Sequence, residues 1–434
     1  MGILIRGGRI IDAASSTDMI GDIYLDEGVI KEIGEKLEQK EKNDRVIEAK
    51  GCLVMPGLVD LHVHFRDPGQ EYKEDIETGA KAAARGGVTT VVAMPNTTPV
   101  IDSPDRVSYV HNKAAQVASI HVLQAGAVTR GEKGEELSDI AGMAQVGIPA
   151  LSEDGKSVMN SRLYKEAMEQ AVKYDLPIFA HCEDIDLRGN GCMNDDENAI
   201  RLRLPGICNA TEDAIAARDI LLALETGVRL HLCHCSTLGV ARMMEFAKAA
   251  GMDNVTAEVC PHHFILTSDD IERDDPNYKM NPPLRTKNDV EALLRALKNG
   301  AIQVISTDHA PHGAKDKTGS MRSAAFGIVG LETSFALTYT ELVEKGVLTI
   351  QELVEKMSWN PAKILGLDCG TLQEGHPADV IVVDVDHEYA IDKTKFASKG
   401  RNTPFNGWKV KGKVLYTICG GKVVYKDNES IVQE

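Results

Sequence analysis

From Pro56 onward, short runs of apolar residues alternate with longer stretches in which apolar positions return every three or four residues. This is the pattern of strands and helices taking turns around a parallel sheet, whose strands are covered on both faces and read as nearly continuous apolar runs. Eight strands are predicted, at residues 57–64, 88–94, 120–125, 146–151, 176–181, 228–234, 255–259 and 302–307. Between them the amphipathic period predicts helices such as 73–85, 161–174, 211–226, 238–250 and 287–298. Eight such units point to an α/β fold, a closed (β/α)8 barrel of the TIM type rather than an open sheet.

The two ends of the chain follow a different pattern. Residues 4–11 and 21–28, and again 378–384 and 414–425, are short strand-like runs set off by turn residues. Neither end has enough strands to bury a core alone. The expectation is one small β-sandwich domain built from residues 1–55 and 366–434, beside a barrel of residues 56–365.

Composition narrows the class of partner. Of 434 residues 43% are hydrophobic and 26% charged, which excludes a disordered or fibrous chain. A net charge of −17 without a cluster of Lys and Arg argues against a nucleic-acid partner. An anionic small-molecule substrate would then need specific positive groups inside a pocket. The first residues lack the apolar stretch of a signal peptide and no segment approaches ~18 uninterrupted apolar residues, so a cytoplasmic protein without membrane contact is expected. Nine cysteines without a Cys-x-x-Cys motif do not suggest a disulfide framework. Cys182, Cys233 and Cys235, adjacent to histidines, are expected to point away from them and pack as small hydrophobes.

The strand ends carry the candidate chemistry. His62-Val63-His64 closes the first strand with two imidazoles two residues apart, which in a strand face the same way and can share a metal ion. Asp154 follows the fourth strand, His181 and His234 end the fifth and sixth, and Asp308 follows the eighth. In such a barrel these ends converge on one mouth. Four imidazoles and two carboxylates exceed the ligand set of a single zinc, so two divalent ions sharing a carboxylate are expected. Ions ~3.5–4 Å apart can hold a hydroxide between them, lower the pKa of water from ~15.7 towards ~7, and direct it at an amide or imide carbonyl. Asp308 is placed to take the proton of that hydroxide and hand it to the leaving nitrogen. Arg66, two residues beyond His64, offers a planar fork for a carboxylate. Residues 313–325, rich in Gly, Lys, Ser and Arg, read as a mobile loop over the mouth.

Residues 56–69, Met94 to Thr97, His181 to Asp184, His234 to Thr237 and Ser306 to His312 together resemble the amidohydrolase superfamily and, within it, the dihydroorotases of pyrimidine biosynthesis. The resemblance covers nearly the whole chain. It implies two zinc ions, with His62, His64 and Asp308 on one, His181 and His234 on the other, and Asp154 bridging them. It further implies that His64, Arg66, Asn96, Asn281, His312 and the pair Phe326-Gly327 touch the substrate. The activity implied is reversible cyclisation of N-carbamoyl-L-aspartate to L-dihydroorotate, both of which carry a carboxylate beside the reacting amide. No metal role is implied for His231, His262, His263 or His309. Hydantoinases and allantoinases bridge their metals with a carboxylated lysine, whereas this chain resembles the bacterial type with aspartate there; Lys156 lies two residues past Asp154. Glu153 leaves an adjacent acidic pair, in which the offsets to neighbouring motifs favour Asp154. A homodimer and association with aspartate carbamoyltransferase are the expected assemblies. The alternatives are another cyclic amidase, which Arg66 and the lack of a bridging lysine disfavour, and a metal-free scaffold for a partner enzyme, which the filled ligand set disfavours.

Overall fold

The computed structural model describes residues 2–428. Each expected strand position holds a strand. Leu58–Val63, Val88–Ala93 and His121–Gln124 pair in parallel, and so do Gly126–Ala127, Leu151–Ser152, Ile178–Ala180, Leu230–Leu232, Val255–Val259 and Val304–Ile305, in that order. The chain steps from one sheet to the other at Ala125: its N–H donates to Ala93 O at 3.0 Å, and that of Gly126 to Ala150 O at 3.0 Å. At the other side a parallel bridge joins Val63 to His309, and His64 N–H donates to His309 O at 2.9 Å. Leu58–Val63 and Val88–Ala93 are buried throughout, with Asp60, His62, Thr89 and Thr90 included, as strands covered on both faces are.

Helices cover the outer faces. Ile76–Arg85 starts at Asp75, whose carboxylate accepts from Thr78 N–H at 2.8 Å, and buries Ala80, Ala83 and Ala84. Lys287–Lys298 matches its sequence reading residue for residue and opens on a reciprocal cap between Thr286 and Asp289. The predicted strand 146–151 is shorter than expected. Val146 instead caps the helix Ile140–Gln145, and Gly147, at φ +90°, turns the chain before the strand begins at Leu151.

Both chain ends contribute to a single eight-stranded sheet. Leu53–Pro56 pairs antiparallel with Val380–Ala390, which pairs with Lys409–Cys419 and so with Lys422–Lys426. On its other side lie Ile3–Asp12, Thr17–Asp26 and Val29–Gly34. Ile3–Asp12 breaks register between Ile5 and Gly8, pairing with Arg45–Glu48 before the break and with Leu53–Pro56 after it. A Cβ at Gly8 would meet Val54 Cγ2 at 2.4 Å, so the close approach there needs glycine. Ile5, Ile10, Ile23, Val54, Val380, Val382 and Ile418 form the core of this sheet, apart from the main core around the parallel strands. Among the described residues no helix is long and apolar enough to cross a membrane.

Candidate metal centre

The parallel strands deliver their terminal side chains to one point. His62 lies in Leu58–Val63 with His64 just beyond it, and His181 directly follows Ile178–Ala180. Asp154, His234 and Asp308 lie two or three residues past Leu151–Ser152, Leu230–Leu232 and Val304–Ile305. His234 at φ +33°, Asp308 at +47° and Arg66 at +58° occupy the left-handed region, where a non-glycine residue costs about 1–3 kcal/mol. Each turn swings a side chain back over the strand ends.

The six candidate ligands form one cage around Asp154. Its Oδ1 lies 3.1 Å from His62 Nε2, 3.5 Å from His181 Nδ1 and 3.7 Å from His234 Nε2, and its Oδ2 lies 3.4 Å from His64 Nε2. Asp308 Oδ1 stands 3.0 Å from His64 Nε2 and 3.7 Å from His62 Nε2. His181 Nδ1 and His234 Nε2 are 2.8 Å apart. All six residues are buried.

Such a donor set fits divalent cations. His62 Nε2 and Asp154 Oδ1 face each other in a closed site, yet neither makes a hydrogen bond, which is the arrangement an ion would relieve. Two trios, His62 with His64 and Asp154, and Asp154 with His181 and His234, bring their donor atoms within 4.8 Å of one another. Burial works against charge on His62, but Asp154 holds its imidazole well above the usual histidine range. Burial likewise opposes charge on His181, which contacts with Asp154 and Glu183 push up to about 10. Although burial penalises its charge, the surrounding histidines hold Asp154 well below the usual carboxylate range. A cation entering this cage therefore displaces protons from imidazole.

Three of the four histidines in the cage have their outer nitrogens held. Glu258 Oε1 lies 3.0 Å from His62 Nδ1, and Asn96 Oδ1 lies 2.9 Å from His64 Nδ1 while Asn96 Nδ2 donates to Asp154 Oδ2 at 3.1 Å. Asn281 Nδ2 donates to Glu183 Oε1 at 2.9 Å and sits 3.3 Å from His181 Nε2. The neighbouring acid Glu153 faces elsewhere, accepting from Thr129 N–H at 2.9 Å and from the Thr129 hydroxyl. Lys156 also leaves the cage, donating to Glu132 O at 2.9 Å. His263 Nε2 lies 2.9 Å from Pro282 O, and His262, Cys260 and His263 form a separate buried group. Burial pushes the thiol of Cys233 up to about 12, so it remains neutral beside His62 and Glu258.

Above the cage is a cavity of about 170 Å³ lined by His64, Arg66, Asn96, Asp154, His181, His234, Asn281, Asp308, His312, Phe326 and Gly327, with Gly155 and Ala310. The expected metal ligands and substrate-contacting residues thus meet here, with His62 fully buried beneath. Arg66 Nε donates to Pro311 O at 3.3 Å, and its guanidinium, lowered by burial, faces the opposing charges of Asp308 and Asp154. Burial and then Arg66 push the His312 imidazole down to about 2, so its neutral ring donates from Nε2 to Phe326 O at 2.7 Å. Gly327, at φ +119°, has no room for a Cβ, which would lie 2.5 Å from that of Ala310. The loop 313–325 is tied down by Lys317, whose Nζ donates to the carbonyls of Lys279, Ala325 and Gly327 at 3.0, 2.9 and 2.9 Å.

A model of the amidohydrolase family matches residues 53–424. The chain belongs to the amidohydrolase family. This amidohydrolase is 46% identical to a dihydroorotase of Acetivibrio thermocellus over 425 residues, covering 98% of the chain and 99% of the relative. It is 48% identical to a dihydroorotase of Geobacter metallireducens over 426 residues, covering 98% and 100%. Among solved structures it resembles an L-hydantoinase (dihydropyrimidinase) from Arthrobacter aurescens, with a TM-score of 0.88 at 28% identity, 99% of the chain and 97% of that structure being covered. A D-hydantoinase (dihydropyrimidinase) from Thermus sp. gives a TM-score of 0.86 at 27% identity, covering 100% and 97%. The amidohydrolase cage includes one group the sequence reading missed: Glu258, a fully buried carboxylate inside the strand Val255–Val259. Its signal was there, an acid within an otherwise uncharged strand that needs a buried partner.

Proposed function

We propose that this amidohydrolase is a dihydroorotase, catalysing the reversible cyclisation of N-carbamoyl-L-aspartate to L-dihydroorotate. The observation that carries the reading is identity of 46–48% to dihydroorotases over nearly the whole chain. The cage would hold two zinc ions, His62, His64 and Asp308 serving as ligands of one, His181 and His234 of the other and Asp154 shared; the position of Asp154 at 3.1–3.7 Å from four imidazoles supports this. When bound, the ions supply Lewis acidity that polarises the amide carbonyl and lowers the pKa of water.

The chain's own groups do the remaining work. Asp308, beside His64 and on the cavity wall, takes a proton from the attacking water in ring opening and returns it to the ring nitrogen as that bond breaks. In cyclisation the same carboxylate accepts the proton of the attacking ureido nitrogen. Arg66 holds the substrate carboxylate with its guanidinium fork. Asn96, Asn281 and His312 supply polar contacts, His64 borders the reacting group, and Phe326 with Gly327 covers the ring. His312 Nδ1, buried without a hydrogen-bond partner, is an acceptor suited to an amide N–H.

The parallel strands close into a (β/α)8 barrel of residues 56–365, a division supported by the Val63–His309 bridge, and residues 1–55 and 366–434, of which 1 and 429–434 lie outside the described residues, make up a small β-sandwich domain, supported by the sheet that both ends share. A cytoplasmic homodimer able to associate with aspartate carbamoyltransferase completes the reading. An absorbance assay of dihydroorotate ring opening, run beside hydantoin and allantoin, tests it: turnover of dihydroorotate alone is expected, and preference for either other ring would overturn it.

A further inference from the structure

We infer that Glu258, backed by His231, is a positioning residue that fixes which nitrogen of His62 faces the metal and anchors the turn that presents His234. The inference rests on the metal centre proposed above and concerns two residues for which that reading has no role. Glu258 and His231 are fully buried, one element behind the cage, on the neighbouring strands Val255–Val259 and Leu230–Leu232.

The hydrogen-bond pattern sets the tautomer. Glu258 Oε1 lies 3.0 Å from His62 Nδ1 and Oε2 lies 3.2 Å from His231 Nε2. Its two oxygens meet a ring nitrogen from each imidazole and also accept the His234 N–H, so the carboxylate serves this site as an acceptor alone. Both imidazoles must then present N–H to it. His62 keeps a proton on Nδ1, which leaves Nε2, facing Asp154 and met by no hydrogen bond, as the nitrogen free to take a metal. His231, protonated on Nε2, uses Nδ1 to accept from Thr256 Oγ1 at 2.9 Å, which closes the network without a conflict. The same Glu258 Oε1 accepts from His234 N–H at 3.3 Å, at the residue whose φ of +33° aims its ring into the cage. One buried carboxylate thus bears on a ligand from each half of the centre. Outer partners of this kind orient metal-binding histidines, and losing one typically weakens metal binding 10–100-fold.

The test compares Glu258→Leu with Glu258→Gln in metal-stripped protein, titrating zinc against a chromophoric chelator and recording Tm beside it. Gln keeps an acceptor oxygen for His62 Nδ1 and can donate to His231 Nε2 if that ring shifts its proton to Nδ1, so the His62 tautomer survives; Leu removes the acceptor. The expected result is zinc binding weaker by about 10–100-fold in Glu258→Leu, with Glu258→Gln recovering most of it. Equal zinc affinity in Glu258→Leu and wild type, or equal loss in both variants, would overturn the inference. A wild-type chain that binds no zinc would instead defeat the metal centre itself. If Glu258→Leu does not fold, long-range 1H–15N spectra of the zinc-loaded wild type decide: His62 protonated at Nδ1 supports the inference, and protonation at Nε2 overturns it.

Discussion

The two halves of the cage are built to different standards. On one side both imidazoles have their outer nitrogens held, His62 by Glu258 and His64 by Asn96, so both inner nitrogens are aimed before any ion arrives. On the other, His181 turns Nδ1 inward and Nε2 toward Glu183 and Asn281, while His234 Nδ1 is buried with no hydrogen-bond partner. Preorganised ligands lose less freedom on binding, so the His62 and His64 side should grip its ion harder. The same side also holds Asp308, the proposed proton carrier.

Breaking that proton carrier gives the largest expected effect. Asp308→Asn should lower kcat by about 10²–10⁴-fold, read from dihydroorotate ring opening at saturating zinc, and retention of wild-type kcat would remove Asp308 from the chemistry. Next comes Arg66→Met, which removes a charged contact of about 1.5–3 kcal/mol and should cut kcat/KM by roughly 10–150-fold through KM, leaving zinc content unchanged. A kcat/KM close to wild type would place the substrate carboxylate elsewhere. The comparison itself is sharpened by partial stripping: metal on the His181 and His234 side should leave about tenfold more readily, seen as anomalous scattering lost there first. Equal loss from both positions would mean that the outer partners do not matter.

The smallest effect concerns the loop. Lys317→Met removes three donated hydrogen bonds that hold Phe326 and Gly327 over the cavity, and should raise KM by about 3–10-fold without altering zinc binding. Burial, then Lys279, pulls the Lys317 ammonium down to about 7. Because this lies below the ordinary value of ~10.4, the folded chain sheds the proton first, and stability should rise as pH climbs from about 7 to about 10. KM should rise over the lower part of that range as one donor is lost. Denaturant midpoints and KM profiles of wild type and variant check both, and a variant with the wild-type profile would clear Lys317 of any part.

The strand ends were legible because chemistry interrupts hydrophobicity there: His62, His181 and His234 each close a buried run. The choice between Glu153 and Asp154 depends on which side chain faces inward, and Thr129, just past the neighbouring strand Gly126–Ala127, claims Glu153. Glu258 was hidden because alternating polar residues in a strand usually face water, whereas here both faces are covered and the carboxylate is buried against histidines from two other strands. At residues 146–148 periodicity suggested a strand, but the left-handed Gly147 decided the local geometry. The loop 313–325 reads as mobile from composition, and only the fold reveals that one of its own lysines ties it to three carbonyls. Local pattern therefore specifies elements, and long-range pairing specifies which polar groups become the site.

The central claim is that six side chains from separate strands hold a pair of cations that this chain needs for ring opening. Zinc titrated into stripped protein, with dihydroorotate turnover and bound metal followed together, tests it most directly. Activity should rise with binding and level off as the ratio approaches two per chain. Full turnover with no metal bound, or two ions bound at sites other than His62, His64, Asp154, His181, His234 and Asp308, would contradict it.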